Sequence, residues 1–254
     1  MTASVLAEFG KLRRSATWVV VVLLPVTSLI AGVSGSIVVE GGLTDGWNTL
    51  WIRTVGFYGM FLLPTGLGVL AALVWRAEHQ GGNWNALMAR PVGSLQVVTG
   101  KATAVAALAA AMQLVLLSGQ FVVGKLLLGL PGLLPVEYLV VSVLIVLASV
   151  PVAALQSGLS MLTRSFVAPV AAALAGASTG VVVLLAKIDV LTTVLPHALL
   201  VRAALLGSPL EGRSAFDDID VAVGSVVPIA VGSLVLTGLL VTATTTVLHR
   251  RDVR

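Results

Sequence analysis

Apolar runs of membrane-crossing length alternate with short polar segments along this chain, at about 18–39, 54–75, 102–123, 137–161, 165–187 and 221–247. Each is close to the roughly 20 apolar residues that an α-helix needs to cross a ~30 Å hydrocarbon core. In lipid the backbone must satisfy its own hydrogen bonds, so each run is expected as a helix. The pattern predicts an all-α, polytopic membrane protein with six transmembrane helices in a single domain over residues 1–254, divided as spans 18–75, 102–187 and 221–247. The longest polar interruption of the first half, 76–101 with Trp75 before it, reads as a folded loop between spans two and three. Residues 188–220 form a second, longer connection, between spans five and six.

The termini extend this pattern. Residues 1–17 carry Leu6, Phe9 and Leu12 at helical spacing, with Glu8, Lys11, Arg13 and Arg14 on other faces. That arrangement predicts an amphipathic helix lying in the headgroup region. A secretory signal peptide is the competing reading, supported by the small residues Ala31, Gly32, Ser34 and Gly35. The apolar run of about 22 residues from Trp18 to Val39 is long for a signal core, and further spans follow it. The chain closes on the polar tail 248–254. Six spans place both termini on one side.

Composition changes the picture only by closing alternatives. Hydrophobic residues make up 57% of the chain and charged residues 10%, with a mean hydropathy of +1.05; a soluble domain carries about 25% charged residues. No cysteine is present, which excludes thiolate metal sites, disulfide frameworks and cysteine nucleophiles. The net charge of +4 would suggest nucleic acid in a soluble protein, but here its distribution matters more, and no nucleic-acid partner is expected. With cytoplasmic termini, ten basic and three acidic residues lie inside, against five basic and eight acidic outside, giving +7 and −3. The positive-inside rule therefore orients both termini to the cytoplasm.

Candidate chemistry is sparse. Asp, Glu, His, Lys and Arg are not found at depth within the predicted spans, which disfavours proton relays, ion-coupled carriers and voltage sensors. Gln113, Gln120 and Gln156 are read as hydrogen bonds between helices. Ala172, Gly176 and Gly180 form a small-residue face in span five, suited to close helix packing within the chain or across a dimer. Pro25, Pro64, Pro151 and Pro169 sit inside spans as hinges or static kinks. Val98-Thr99-Gly100-Lys101-Ala102 has the end of a phosphate-binding loop but Leu95 where its first glycine belongs. Leu117-Ser118-Gly119-Gln120, similar to an ATP-binding-cassette signature, falls inside span three. His79, His197 and His249 are isolated, and each is read as a surface or interface residue. No catalytic constellation is visible, so the chain is read as no enzyme, with no metal site and no nucleotide site of its own.

The first loop is the richest polar stretch. Span two ends with Trp75 and Arg76 as interface anchors, Glu78 and His79 follow, and Gly81-Gly82 breaks the chain. Asn83 is placed to cap a short helix of Trp84, Asn85, Ala86, Leu87 and Met88 that ends before Pro91. Trp84, Leu87 and Met88 form an apolar ridge suited to a groove on a soluble partner. The competing reading lays Trp84 and Leu87 on lipid headgroups.

This order, from Glu8 and Lys11-Leu12-Arg13-Arg14 through Glu78, Trp84, Ala89-Arg90-Pro91-Val92 and Lys101, resembles the permease subunits of ATP-binding-cassette exporters of the type-2 membrane family. Trp47 and Trp51, the run Phe57 to Phe61, and Pro64 are similar to those of lantibiotic-immunity and bacitracin-type peptide exporters. The resemblance covers essentially the whole chain. It implies a permease in the bacterial plasma membrane that pairs with ATP-binding-cassette ATPase subunits, which bind ATP and Mg, and with a second permease chain, identical or related. It makes 76–101 the coupling segment, with Glu78, His79, Asn83, Trp84, Leu87, Met88 and Arg90 contacting the ATPase subunit. Phe57, Tyr58, Met60 and Phe61 become candidates for an apolar path for a peptide, lipid or hydrophobic drug. Residues 188–220 become a re-entrant extracellular segment, with Leu191 to Leu210 broken by Pro196 and Pro209; a seventh span is the alternative. The other function class is a non-transporting immunity or sensor protein that sequesters a peptide or lipid.

Overall fold

The computed structural model describes residues 10, 16–40, 46–80, 83–84, 92–163, 165–206, 208 and 223–252. Among them 89% are helical and no strand occurs. Helix α1 (Thr17–Glu40) is followed by α2 (Gly46–Phe57), which runs through a π turn at Tyr58–Leu62 directly into α3 (Leu63–His79). Helix α4 (Ser94–Val122) ends in a second π turn, Val123–Leu127, before α5 (Val136–Leu162) and α6 (Val167–Leu185). Two short helices, α7 (Asp189–Val194) and α8 (Pro196–Ala204), precede α9 (Val223–Asp252). Among the described residues, six helical stretches are long and apolar enough to cross a membrane: Thr17–Gly35, Gly46–His79, Ser94–Leu127, Val136–Leu162, Val167–Leu185 and Val226–Arg250. The protein is an all-α polytopic membrane protein. The predicted helix over 1–17 lies outside the described residues, apart from Gly10, Ala16 and Thr17.

Two spans are longer than the apolar runs suggest. Span two starts at Gly46 rather than near residue 54, so Trp47, Trp51 and Arg53 stand on a helix and not in a loop. Span three covers 94–127 rather than 102–123 and takes in Lys101. Polar residues near the ends of long helices are satisfied by neighbouring helices, so hydropathy alone places the ends too far inward. The π turn in span two has a local cause. Pro64 lacks the N–H that would bond the carbonyl of Met60, and the Leu63 N–H instead reaches the Tyr58 carbonyl, five residues back. Pro25 and Pro151 lie inside α1 and α5, and so does Pro228 in α9. Pro169 is the third residue of α6, where the missing N–H has no intrahelical partner anyway, so it is no hinge.

Helix α5 is the axis of the bundle, packing against α3, α4, α6, α8 and α9. Its span is 61% buried inside the protein, against 17% for that of α9. The uncovered side of α9 carries Val231, Leu234, Val235 and Leu239, and that of α1 carries Val19, Leu23 and Ile30. In a membrane these apolar faces are open to lipid or to a neighbouring chain. The core is built on Leu67, Leu70, Leu108, Met112, Val141, Ile145 and Leu199. Close approach relies on small residues: a Cβ on Gly68 would meet the Ala173 methyl at 2.6 Å, and one on Gly180 the backbone of His197 and Ala198 at 3.0 Å. Hence α6 turns Pro169, Ala173 and Ala177 inward toward α3, while Gly176 and Gly180 seat α8. Ala172 is only half-buried.

The glutamines hydrogen-bond between helices. Gln113 donates to Ser142 Oγ at 3.0 Å, linking α4 to α5. Gln120 donates to Thr54 Oγ1, linking α4 to α2, and Ser28 donates to the Thr54 carbonyl at 2.6 Å. Gln156 faces His197 on α8 at 3.4 Å. His197 is therefore no surface residue: it is 6% exposed, wedged over Gly176. Helices α7 and α8 hold six and nine residues. At 1.5 Å per residue neither spans a ~30 Å core, and both pack on α6 and α9.

Candidate functional site

The end of α3 places Trp75, Glu78 and His79 on neighbouring turns, so that they meet helices on several sides. Trp75 is fully buried rather than an exposed interface anchor. Its indole N–H donates to Ser157 Oγ on α5 at 2.9 Å. Beside it the Lys101 Nζ of α4 lies 3.0 Å from Glu78 Oε1, 3.2 Å from the Val74 carbonyl and 5.0 Å above the Trp75 ring. Both members of this ion pair are buried. The pair lies just beyond the predicted spans 54–75 and 102–123 but inside the longer helical stretches Gly46–His79 and Ser94–Leu127.

The pair sits near one end of the bundle. Lys101 is seven residues into α4, about 10 Å along its axis. Burial on this scale removes solvation from both charges, so the ammonium is held by a carboxylate, a carbonyl and a π face together. The signal for it was present: Glu78 and Lys101 carry opposite charges at the facing ends of spans two and three.

His79 extends the cluster outward. Its Nε2 lies 2.8 Å from the Ser160 carbonyl of α5; a carbonyl only accepts, so Nε2 carries the proton. Trp84 stacks on the His79 ring at 5.7 Å and 10°, and stands 6.2 Å from Trp75. Asn83 donates its side-chain amide to the Ala77 carbonyl at 2.8 Å, closing the end of α3 as well as opening the helical turn of Asn83 and Trp84. Val97 and Val98 of α4, Met161 of α5 and Leu248 of α9 complete the apolar part around Trp75, with Trp84 and Val241 packed against it. One small cluster thus joins the first loop to α3, α4, α5 and α9. The polar cavity beside it, about 360 Å³, lies between α3 and the α5–α6 connection.

Of the residues predicted to contact a partner, His79 and Trp84 are half-buried, Asn83 is exposed, and Glu78 turns inward to Lys101. Leu87, Met88 and Arg90 lie outside the described residues. The residues that hold the cluster together, Lys101, Ser157, Ser160 and Met161, were not singled out by the sequence pattern for this role.

The candidates for an apolar path do not share one surface. Tyr58 is fully buried in the main core. Met60 packs against Leu184, Val201 and Leu205, and Phe61 is half-buried. Phe57 alone of the four is exposed, on a cleft of about 320 Å³ between α1 and α2 lined also by Ala31, Gly32, Gly35 and Arg53.

The fold and this cluster define a membrane component: a helical bundle with one densely tied polar end and no group of three or more metal-ligating side chains among the described residues. The model of the ABC-2 family transporter proteins matches residues 4–180, and the chain belongs to that family. It is an ABC-2 type permease, the membrane-embedded component of an ATP-binding-cassette transporter, whose family implies ATPase subunits as partners. Neither the curated proteins nor the solved structures hold a match to it.

Proposed function

We propose that this permease exports a peptide, lipid or hydrophobic drug across the bacterial plasma membrane, driven by ATP that a separate subunit binds with Mg and hydrolyses. Two permease chains, identical or related, flank the pathway, and the termini face the cytoplasm, in keeping with the charge bias of +7 against −3. The observation that carries the reading is the stack of Trp75, His79 and Trp84 tied to four spans. A loop helix docked on an ATPase subunit through Trp84, Asn83, Leu87, Met88 and Arg90 transmits its displacement through His79 to α5 and through Trp75 to α3. Packed elements respond to such a push as a two-state shift rather than a gradual bend. Glu78 acts through Lys101, holding α3 to α4, and not as a docking contact. A peptide of the lantibiotic or bacitracin type is the preferred substrate class, on the likeness at Trp47, Trp51 and Phe57 to Phe61, with Phe57 the one path candidate open to it.

The test is Trp84→Ala in the complex purified with its ATPase subunit. Substrate-stimulated ATP turnover is expected to fall at least fivefold, about 1 kcal/mol of coupling, while the complex stays assembled. Full stimulation in the variant refutes the coupling assignment. If affinity capture of the native chain recovers no ATPase subunit, the sequestering immunity or sensor reading takes its place.

A further inference from the structure

We infer that the connection between α4 and α5 is a membrane anchor, its exposed leucines inserted among the acyl chains at the lipid–water boundary and its backbone lying at headgroup level. Between Lys125 and Glu137 stand eleven residues without one polar side chain: six Leu, two Gly, two Pro and one Val. A connection bathed in water is ordinarily polar. Leu130 belongs to the main core, and Leu128 and Leu134 pack against it. Leu126, Leu127, Leu133 and Val136, by contrast, are 72%, 73%, 74% and 64% exposed. Apolar surface concentrated in this way marks contact with a protein or with a membrane.

Two observations favour the membrane. Along the chain the exposed leucines continue the uncovered faces of the two spans they join, which carry Phe121 and Val122 on α4 and Leu139, Val140 and Val143 on α5. Independently, the backbone of the turn is satisfied from within the chain. Lys125 Nζ donates to the Leu130 carbonyl at 3.2 Å and to the Gly132 carbonyl at 2.9 Å, and the Trp47 indole N–H to the Pro131 carbonyl between them at 2.8 Å. The Leu128 and Leu130 N–H groups donate to the carbonyls of Val123 and Gly124 at 3.0 and 2.9 Å. Three successive carbonyls are thus taken up by side chains. A loop needs such internal pairing where water is scarce, and one in bulk water does not. Lys125 supplies it from an apolar stem that itself suits the boundary.

The test is independent of coupling and of ATP. The full-length chain is reconstituted in vesicles of phosphatidylcholine and phosphatidylglycerol. Because it contains no cysteine, Leu127→Cys or Leu133→Cys takes a single nitroxide label. Electron paramagnetic resonance then reads the label's access to oxygen, which concentrates among acyl chains, and to a water-soluble nickel chelate. At both positions the oxygen-to-nickel ratio is expected to be at least threefold that at Ser165→Cys, an exposed position beside the polar cavity. A ratio equal to that at Ser165→Cys means that the leucines stand in water, and overturns the proposal. Exclusion of both reagents means that a protein surface covers them, and overturns it as well. If one labelled variant does not accumulate, the other decides alone.

Discussion

Both ends of the second span carry buried tryptophans, and they are used differently. At the α2 end Trp51 stacks on Tyr138 of α5 at 4.3 Å and 11°, and Trp47 donates to the Pro131 carbonyl at 2.8 Å. Gly129, with φ +62°, turns the chain there and lets the α4–α5 connection fold against Trp47. At the α3 end the rings stand 5.7–6.2 Å apart, and hydrogen bonds to α5 and an ion pair flank them. The first arrangement is a tight clamp on two helices and a turn. The second ties four helices to a loop through ring stacks, hydrogen bonds and an ion pair. The motion proposed above enters at the second end.

The largest expected effect tests the clamp. Trp51→Ala removes a side chain that is 2% exposed and with it the stack on Tyr138. By analogy with core Trp→Ala changes the loss is about 3–5 kcal/mol, here from packing rather than exclusion of water. Thermal unfolding in detergent is expected to show the loss. Substrate-stimulated ATP turnover per folded complex is expected to stay within twofold of the parent. A selective loss of stimulation at unchanged stability erases the distinction between the two ends.

A smaller net effect comes from the ion pair, and it is diagnostic because it is reversible. Lys101→Met leaves Glu78 buried without its cation, a loss of about 3 kcal/mol or more. Adding Glu78→Met removes the stranded charge and is expected to recover most of that loss, since apolar replacement of a buried pair is often neutral. Thermal stability of the two single variants and the double variant forms the cycle. Simple additivity of the single losses means that the two groups do not interact as their 3.0 Å separation requires.

The spans were legible because helix formation and length in lipid follow from residue type, and the six apolar runs correspond to six described helical stretches long and apolar enough to cross. Their ends were not. Trp47, Trp51, Arg53, Glu78 and Lys101 look like loop or interface residues until partners on other helices are known, and such partners are far apart in sequence: Lys101 meets Glu78, Trp75 meets Ser157, and Trp51 meets Tyr138. His197 failed for the same reason, because Gly176 and Gln156 that enclose it lie on two earlier spans. The loop itself was legible as far as Trp84, whose aromatic character in a polar stretch marks it. That Trp84 stacks on His79 is a tertiary fact.

The smallest expected effect separates shape from hydrogen bonding within the clamp. Trp47→Phe keeps an aromatic ring beside Gly124, where a Cβ would strike the indole, but gives up the hydrogen bond to the Pro131 carbonyl. A net hydrogen bond contributes about 0.5–1.5 kcal/mol. Pro131 is exposed, so water takes over its carbonyl and the loss is expected near the lower bound. Thermal stability is the readout, with ATP coupling unchanged. A loss beyond about 2 kcal/mol would mean that ring shape, not the hydrogen bond, seats the α4–α5 connection. The clamp would then depend on close packing at both of its tryptophans, sharpening its contrast with the hydrogen-bonded cluster of Trp75 and His79 on which Trp84 stacks.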